Sequence, residues 1–161
     1  MPRLEHTIPP VWQADSRILI LGSFPSPKSR EQAFFYGHPQ NRFWRVLAAV
    51  WGENVPLTVE EKTAFLYAHG LALWDVIASC EIEGASDASV RGAVPNDLSP
   101  ILSGAQIRAI CTTGGTANRL YGRLIEPVTG IPAIALPSTS PANARMSHAA
   151  LVEAYSILRS L

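Results

Sequence analysis

Ile18-Leu19-Ile20-Leu21, closed at once by Gly22-Ser23-Phe24-Pro25-Ser26, is the stretch from which the fold is read. Four apolar residues with no alternating polar position form the pattern of a strand buried on both faces. The same pattern returns at residues 71–77, 107–111 and 133–136. Between these runs the apolar spacing changes to that of helices. Phe43, Val46, Leu47 and Val50 lie on one helical face, with Gly52 as a stop. Thr58-Val59-Glu60-Glu61 has the form of a capping box and opens a helix that ends near His69-Gly70. A short helix is expected from Asn96-Asp97-Leu98, another from Thr112-Thr113-Gly114-Gly115 through Leu124, and a last one over residues 146–158. Strands alternating with helices predict an α/β fold, a central four-stranded parallel sheet covered on both faces in three α/β/α layers. In such sheets ligands bind beyond the carboxyl ends of the strands, where the loops converge.

With 161 residues, no repeat and no linker composition, residues 1–161 are expected to form a single domain. Hydrophobic residues make up 47% and charged residues 16%, which excludes an intrinsically disordered chain. No apolar run approaches the ~20 residues of a membrane span. Met1-Pro2-Arg3-Leu4-Glu5-His6 has no apolar signal core, so a cytoplasmic protein is expected. Cys80 and Cys111 sit in or beside apolar runs without metal-ligand spacing, so two buried thiols are expected, and neither a metal nor an iron–sulfur centre. His6, His69 and His148 show no ligand spacing either. Formal net charge is zero, so any nucleic-acid binding must come from a local patch. Lys28, Arg30, Arg42 and Arg45 in or beside the first loop, and Arg145 near the second, are the candidates.

Two loops carry the chemistry-bearing residues. The first contains Tyr36-Gly37-His38-Pro39-Gln40-Asn41-Arg42-Phe43-Trp44; the second is Leu136-Pro137-Ser138-Thr139-Ser140-Pro141-Ala142-Asn143. Both follow apolar strands, and loops held by a rigid scaffold are where function concentrates. They point to one cleft. Gly114-Gly115 before a helix lacks a complete phosphate-loop pattern and reads as a point of close chain approach.

The Gly22–Ser26 turn together with the His38–Trp44 segment resembles the uracil-DNA glycosylase superfamily. Its mismatch-specific branch has a Gly-x-Asn-Pro turn followed by His-Pro-x-Asn-Arg-Phe-Trp. Leu73-Trp74-Asp75-Val76-Ile77-Ala78-Ser79-Cys80-Glu81 and Val94-Pro95-Asn96-Asp97 resemble a narrower group, the hypoxanthine (deoxyinosine) DNA glycosylases. Leu136-Pro137-Ser138-Thr139-Ser140 is similar to the superfamily's second signature loop. The resemblance implies a DNA glycosylase that excises deaminated bases, chiefly hypoxanthine, from DNA with no cofactor; a monomer is the default expectation. Two departures stand out: Phe24 replaces the usual water-holding Asp or Asn, and Leu136 replaces a His or Asn. The resemblance therefore assigns the catalytic role to Asn41.

Breaking an N-glycosidic bond leaves positive character on the sugar and negative charge on the base, so fixed dipoles around the base are the main requirement. An amide such as Asn41 cannot take up a proton near neutral pH, but its oxygen can orient a water. On residue type alone Asn41 is a helix cap, and both roles are compatible. The resemblance places Tyr36 as an aromatic stacking on the extruded base; its alternative is a core ring beside a turn. Phe24 is expected as the opposite wall, with Phe34 and Phe35 as packing residues. Asp75, at a strand end, accepts the N1–H of hypoxanthine but repels the bare N1 of adenine, a difference of roughly 1–3 kcal/mol. Its alternative is a solvent-facing turn cap. His38 fixes the loop or helps the anionic base. Ser26, Ser138 and Ser140, with Arg145, are expected at the DNA backbone. The segment 141–145 is where a residue filling the gap left by a flipped base is sought, and Gly84-Ala85-Ser86-Asp87 is assigned to the rim without a role.

Three other readings compete. Uracil removal as the main activity is the nearest. A catalytically silent nucleic-acid-binding module is kept open by Phe24 and Leu136. A small α/β hydrolase is disfavoured because the chain has no Gly-x-Ser-x-Gly elbow. Lys28 and Lys62 are the two lysines, and with Lys62 on an expected exposed helix no Schiff-base step is anticipated.

Overall fold

The computed structural model describes residues 3–83 and 87–161; the rim segment expected at 84–87 lies outside them except for the backbone of Asp87. The strands are β1 (Arg3–Glu5), β2 (Ile18–Gly22), β3 (Leu71–Asp75), β4 (Ile77–Glu81), β5 (Arg91–Pro95), β6 (Ala109–Thr113) and β7 (Ala133–Leu136). The α-helices are α1 (Pro27–Gln32), α2 (Phe43–Trp51), α3 (Val59–Ala68), α4 (Ser99–Gly104), α5 (Gly115–Leu120), α6 (Glu126–Thr129) and α7 (His148–Tyr155). Four strands form the parallel sheet in the order β3-β2-β6-β7.

β2 is central, and its five residues are all buried. Side chains alternate across a strand, and here the alternation divides the core into two. Ile18 and Ile20, with Leu71, Leu73 and Cys111 beside them in register, face the layer made by α2, α3 and α7. Leu19 and Leu21, with Ala72 and Ile110, face the layer that holds α4 and α5. Each such side chain fully withdrawn from water stabilises the fold by about 1.5–3 kcal/mol relative to exposure. Both cysteines are buried, and burial pushes the Cys111 thiol up to about 12, so it remains a neutral core group.

Several boundaries differ from the expected ones. The run 71–77 is two strands, because the chain turns at its middle: Val76 N–H donates to Gly22 O at 2.8 Å and Ile77 N–H to Ser23 O at 3.1 Å. Beyond the turn, β4 joins β1 and β5 in a three-stranded antiparallel sheet, order β1-β4-β5, which the four apolar runs do not announce. Asn96 clamps this turn, its Nδ2 donating to Asp75 O at 2.9 Å and Ile77 O at 3.2 Å. The strand expected at 107–111 is displaced to Ala109–Thr113, and the expected helix at 96–98 starts at Ser99, whose N–H donates to Asp97 Oδ1 at 3.0 Å just before the Leu98 N-cap position. The helix through Leu124 is interrupted by a π-helical turn at Tyr121–Ile125. The first loop contains α1, with Ser26 as its cap and Pro27 in its first turn, too short to show an apolar period. The capping box of α3 is present in both directions, Thr58 Oγ1 accepting from Glu61 N–H and Glu61 Oε1 from Thr58 N–H, each at 3.0 Å. Among the described residues no helix is long and apolar enough to cross a membrane.

Candidate active site

Parallel strands bring their carboxyl ends to one edge, and at that edge lies a cavity of about 270 Å³. This is near the lower end of the ~300–1,000 Å³ usual for small-molecule sites, a size for one ring system. The cavity is lined from four strand ends: Gly22 and Phe24 after β2, Asp75 at the end of β3, Thr113 at the end of β6, and Ser138 to Ala142 after β7. The first loop adds Phe35, Tyr36, His38 and Asn41.

Gly22 determines how close these groups come. A Cβ built on it would meet Asp75 Oδ1 at 2.5 Å, Tyr36 Oη at 3.1 Å and Thr113 Oγ1 at 3.6 Å. One carboxylate and two hydroxyls thus converge on the point where any other side chain would begin. Asp75 is 4% exposed, and its second oxygen, Oδ2, is 2.8 Å from His6 Nε2. Its alternative as a solvent-facing cap is excluded by this burial. His6 directly follows β1 and is held behind Asp75, its own N–H donating to Ala78 O at 2.7 Å.

Tyr36 has φ of 54°, a left-handed backbone that bulky residues rarely adopt and that costs about 1–3 kcal/mol. The surroundings enforce it. One ring face stacks on Phe43, with centroids 3.8 Å apart and planes at 12°; the hydroxyl bonds Thr113 Oγ1 at 3.1 Å; Gly37 N–H donates to Ser29 Oγ at 2.9 Å. Strain of this kind clusters at binding sites. Phe24 lines the cavity with its ring perpendicular to that of His6, at 5.9 Å.

Asn41 Oδ1 accepts from Phe43 N–H at 2.9 Å and from Thr139 Oγ1 at 2.8 Å. A backbone N–H can only donate, so the oxygen end of the amide is identified, and both of its lone pairs are used. The expected cap is present. The expectation that this oxygen orients a water meets an oxygen already filled, and the NH2 end is the part of the amide not engaged by these two bonds. His38 Nδ1 accepts from Gln40 N–H at 3.0 Å, which in the neutral ring leaves the proton on Nε2 as a donor.

The two loops are fastened to one another. Arg42, expected as a phosphate-patch cation, turns inward and donates to Met146 O at 2.6 Å and Asn143 O at 3.0 Å. Tyr155 Oη donates to Pro137 O at 2.6 Å, and burial pushes this hydroxyl far up from its ordinary range, keeping it a donor. Ser26, Ser138 and Ser140 line the cavity, each with its Oγ accepting from a backbone N–H: Ser29 at 3.2 Å, Ser140 at 3.1 Å and Ala142 at 3.2 Å. Gly114, with φ of 90°, lets the chain pass Ser138 closely, the close approach expected of that glycine pair. Leu136 is a core residue.

The cavity therefore gathers Asn41, Phe24, Tyr36, Asp75, His38, Ser26, Ser138 and Ser140; Arg145 is exposed and does not line it. Phe35, expected only to pack, also forms part of its wall. Sequence reasoning missed His6, Thr113 and Thr139. The two threonines stand in turns already singled out, a usable signal, whereas nothing near His6 indicates its partner 69 residues away.

A parallel-sheet fold with two polar loops closing on a base-sized cavity is that of the Uracil DNA glycosylase superfamily, and the chain belongs to it: the family's sequence profile matches residues 9–159. Within the superfamily its relatives are hypoxanthine DNA glycosylases. The protein of that name from Methanosarcina acetivorans is 34% identical over 146 residues, covering 89% of this chain and 91% of the relative. Its namesake from Methanosarcina barkeri is 30% identical over 138 residues, covering 85% and 87%. The solution NMR structure of a uracil DNA glycosylase candidate from Methanosarcina acetivorans superimposes with a TM-score of 0.82 at 32% identity, over 97% of each chain.

Proposed function

We propose that the chain is a monofunctional DNA glycosylase of base excision repair that removes deaminated bases, hypoxanthine first, and acts in the cytoplasm without a cofactor. The observation that carries this reading is the single cavity shared by Asp75, Tyr36 and Asn41, with the Asp75 carboxylate paired to His6 behind it. The base leaves the duplex, at a cost of a few kcal/mol, because its glycosidic bond is out of reach inside the stack. It slides between Tyr36 and Phe24, which both line the cavity. Asp75 Oδ1 accepts its N1–H; adenine has no hydrogen there and leaves the carboxylate opposed by a lone pair.

The C1′–N9 bond then breaks with its electron pair going to the base. In this reading His38 Nε2–H and the Asn41 NH2 are the donors that meet that charge and the incoming water. A water held through one lone pair by Asn41 attacks the sugar cation with the other, so C1′–O forms, and its proton ends on the base nitrogen. Because the attack is late, the water needs no strong base. Ser26, Ser138 and Ser140 with their turn N–H groups hold the flanking phosphates, and Arg145 reaches the backbone outside the cleft. Neither lysine lines the cavity: Lys28 pairs with Glu31, and Lys62 lies half-buried over Trp44, so the expectation of an exposed Lys62 is corrected. This supports hydrolysis without a Schiff-base lyase step.

The test is incubation with duplexes carrying one deoxyinosine, deoxyuridine, deoxyxanthosine or only normal bases, followed by alkaline strand cleavage. Cutting at inosine, and none at adenine, is expected. Cutting at uracil alone would select the uracil reading, and binding without cutting would select a silent module.

A further inference from the structure

We infer that His6 is a positioning residue for base selection: its Nε2–H holds Asp75 Oδ2 and draws charge from the carboxylate, leaving Oδ1 aimed at the N1–H of a lactam base. This inference rests on the base-excision reading above and goes a step beyond it.

The geometry is specific. The His6 side chain is 2% exposed and that of Asp75 6%, so no bulk water competes for either. The ring is fixed by its neighbours, edge-on to Phe24 at 5.9 Å and to Trp74 at 6.1 Å, and tilted against Phe35 at 6.3 Å. The backbone is fixed as well, by the Ala78 bond and by Trp74 Nε1 donating to Ile8 O at 3.2 Å. Against an ionised carboxylate the facing ring nitrogen must be the donor. Oδ2 is therefore committed, and Oδ1 is the oxygen standing over Gly22 beside Tyr36 Oη.

Two problems of the reaction need such a partner. A carboxylate alone in a buried site is poorly solvated and turns toward any donor it can reach, which would take Oδ1 off the line to the base. A full negative charge beside a departing base also opposes the electrons that the base must accept. A donor on the far oxygen answers both, since a charge-assisted hydrogen bond draws carboxylate density away from the base. Without it, catalysis and discrimination fall together.

The experiment compares wild type with His6→Leu and His6→Gln on duplexes containing deoxyinosine or 1-methyldeoxyinosine, in which a methyl replaces the N1 hydrogen. Gln places an amide N–H at the same reach as Nε2. His6→Leu is expected to lose about 10- to 100-fold in kcat/KM on deoxyinosine, while its preference over the methylated base narrows. His6→Gln is expected to recover most of both, at a similar Tm. Equal loss in the two variants tracking Tm, or an unchanged preference in His6→Leu, would overturn the inference while wild-type cleavage keeps the base-excision reading. A wild-type protein inert on deoxyinosine would overturn that reading, and the inference with it.

Discussion

The two ends of the Asn41 amide do different things. Its oxygen ties the start of α2 to the second loop through Phe43 N–H and Thr139 Oγ1, and its NH2 is left for the cleft. Substitution separates the two. Asn41→Asp keeps an oxygen for both donors and removes only the NH2, so stability is expected within about 1 kcal/mol of wild type while kcat on deoxyinosine falls about 100-fold or more. Asn41→Ala is expected to lose the same activity and, in addition, about 0.5–2 kcal/mol for the cap. Single-turnover kinetics and thermal melts read both quantities; an Asp variant as active as wild type would show that the oxygen end is the working one. Asn41, Tyr36 and Asp75 were legible in the sequence because amides, rings and carboxylates at strand ends have little to gain from a core. His6 was not. A lone histidine just after an N-terminal strand carries no local sign of a carboxylate contributed by a distant strand.

At the scale of elements, the parallel sheet was legible because strands buried on both faces are continuous apolar runs. The same property concealed the turn at Val76: an apolar run shows burial, not direction. β5, Arg91-Gly92-Ala93-Val94-Pro95, has neither period nor strand propensity and exists because β4 offers it a partner. Among the contacts that fasten the two loops, the charged one is the Arg42 latch on the carbonyls of Asn143 and Met146. Charge-assisted bonds of this kind contribute about 1.5–3 kcal/mol. Arg42→Ala is expected to lose that much stability and to raise KM for the lesion duplex several-fold, because the loop carrying Ser138 and Ser140 loosens. Thr58→Ala, which breaks the α3 capping box away from the cleft, serves as the control: about 1 kcal/mol of stability lost, with KM unchanged. If KM followed stability in both variants, the latch would have no role of its own in binding.

Over the whole molecule, Lys+Arg and Asp+Glu balance at 13 each, so DNA meets no general positive field. The cations near the cleft are also partly engaged: Lys28 with Glu31 at 3.3 Å, Arg30 over the Phe24 ring at 5.8 Å, and Arg42 in its latch. Within the cleft the phosphates meet neutral turn N–H groups and serine hydroxyls, which release no counterions, so the cationic contacts fall to exposed Arg145 and to the partly engaged Lys28 and Arg30. Each phosphate neutralised by a cation contributes about −0.9 to the slope of log K against log[salt]. With about three such contacts the slope is expected to be about −2.7, and affinity should fall only ~40-fold between 50 and 200 mM salt. Fluorescence anisotropy of a deoxyinosine duplex with the Asn41→Ala variant, which binds without turnover, measures this directly. A slope steeper than about −6 would mean that a cationic surface outside the cleft carries the binding. A shallow slope, with the affinity lost on replacing inosine by adenine, would mean that the protein holds its lesion chiefly by the pocket.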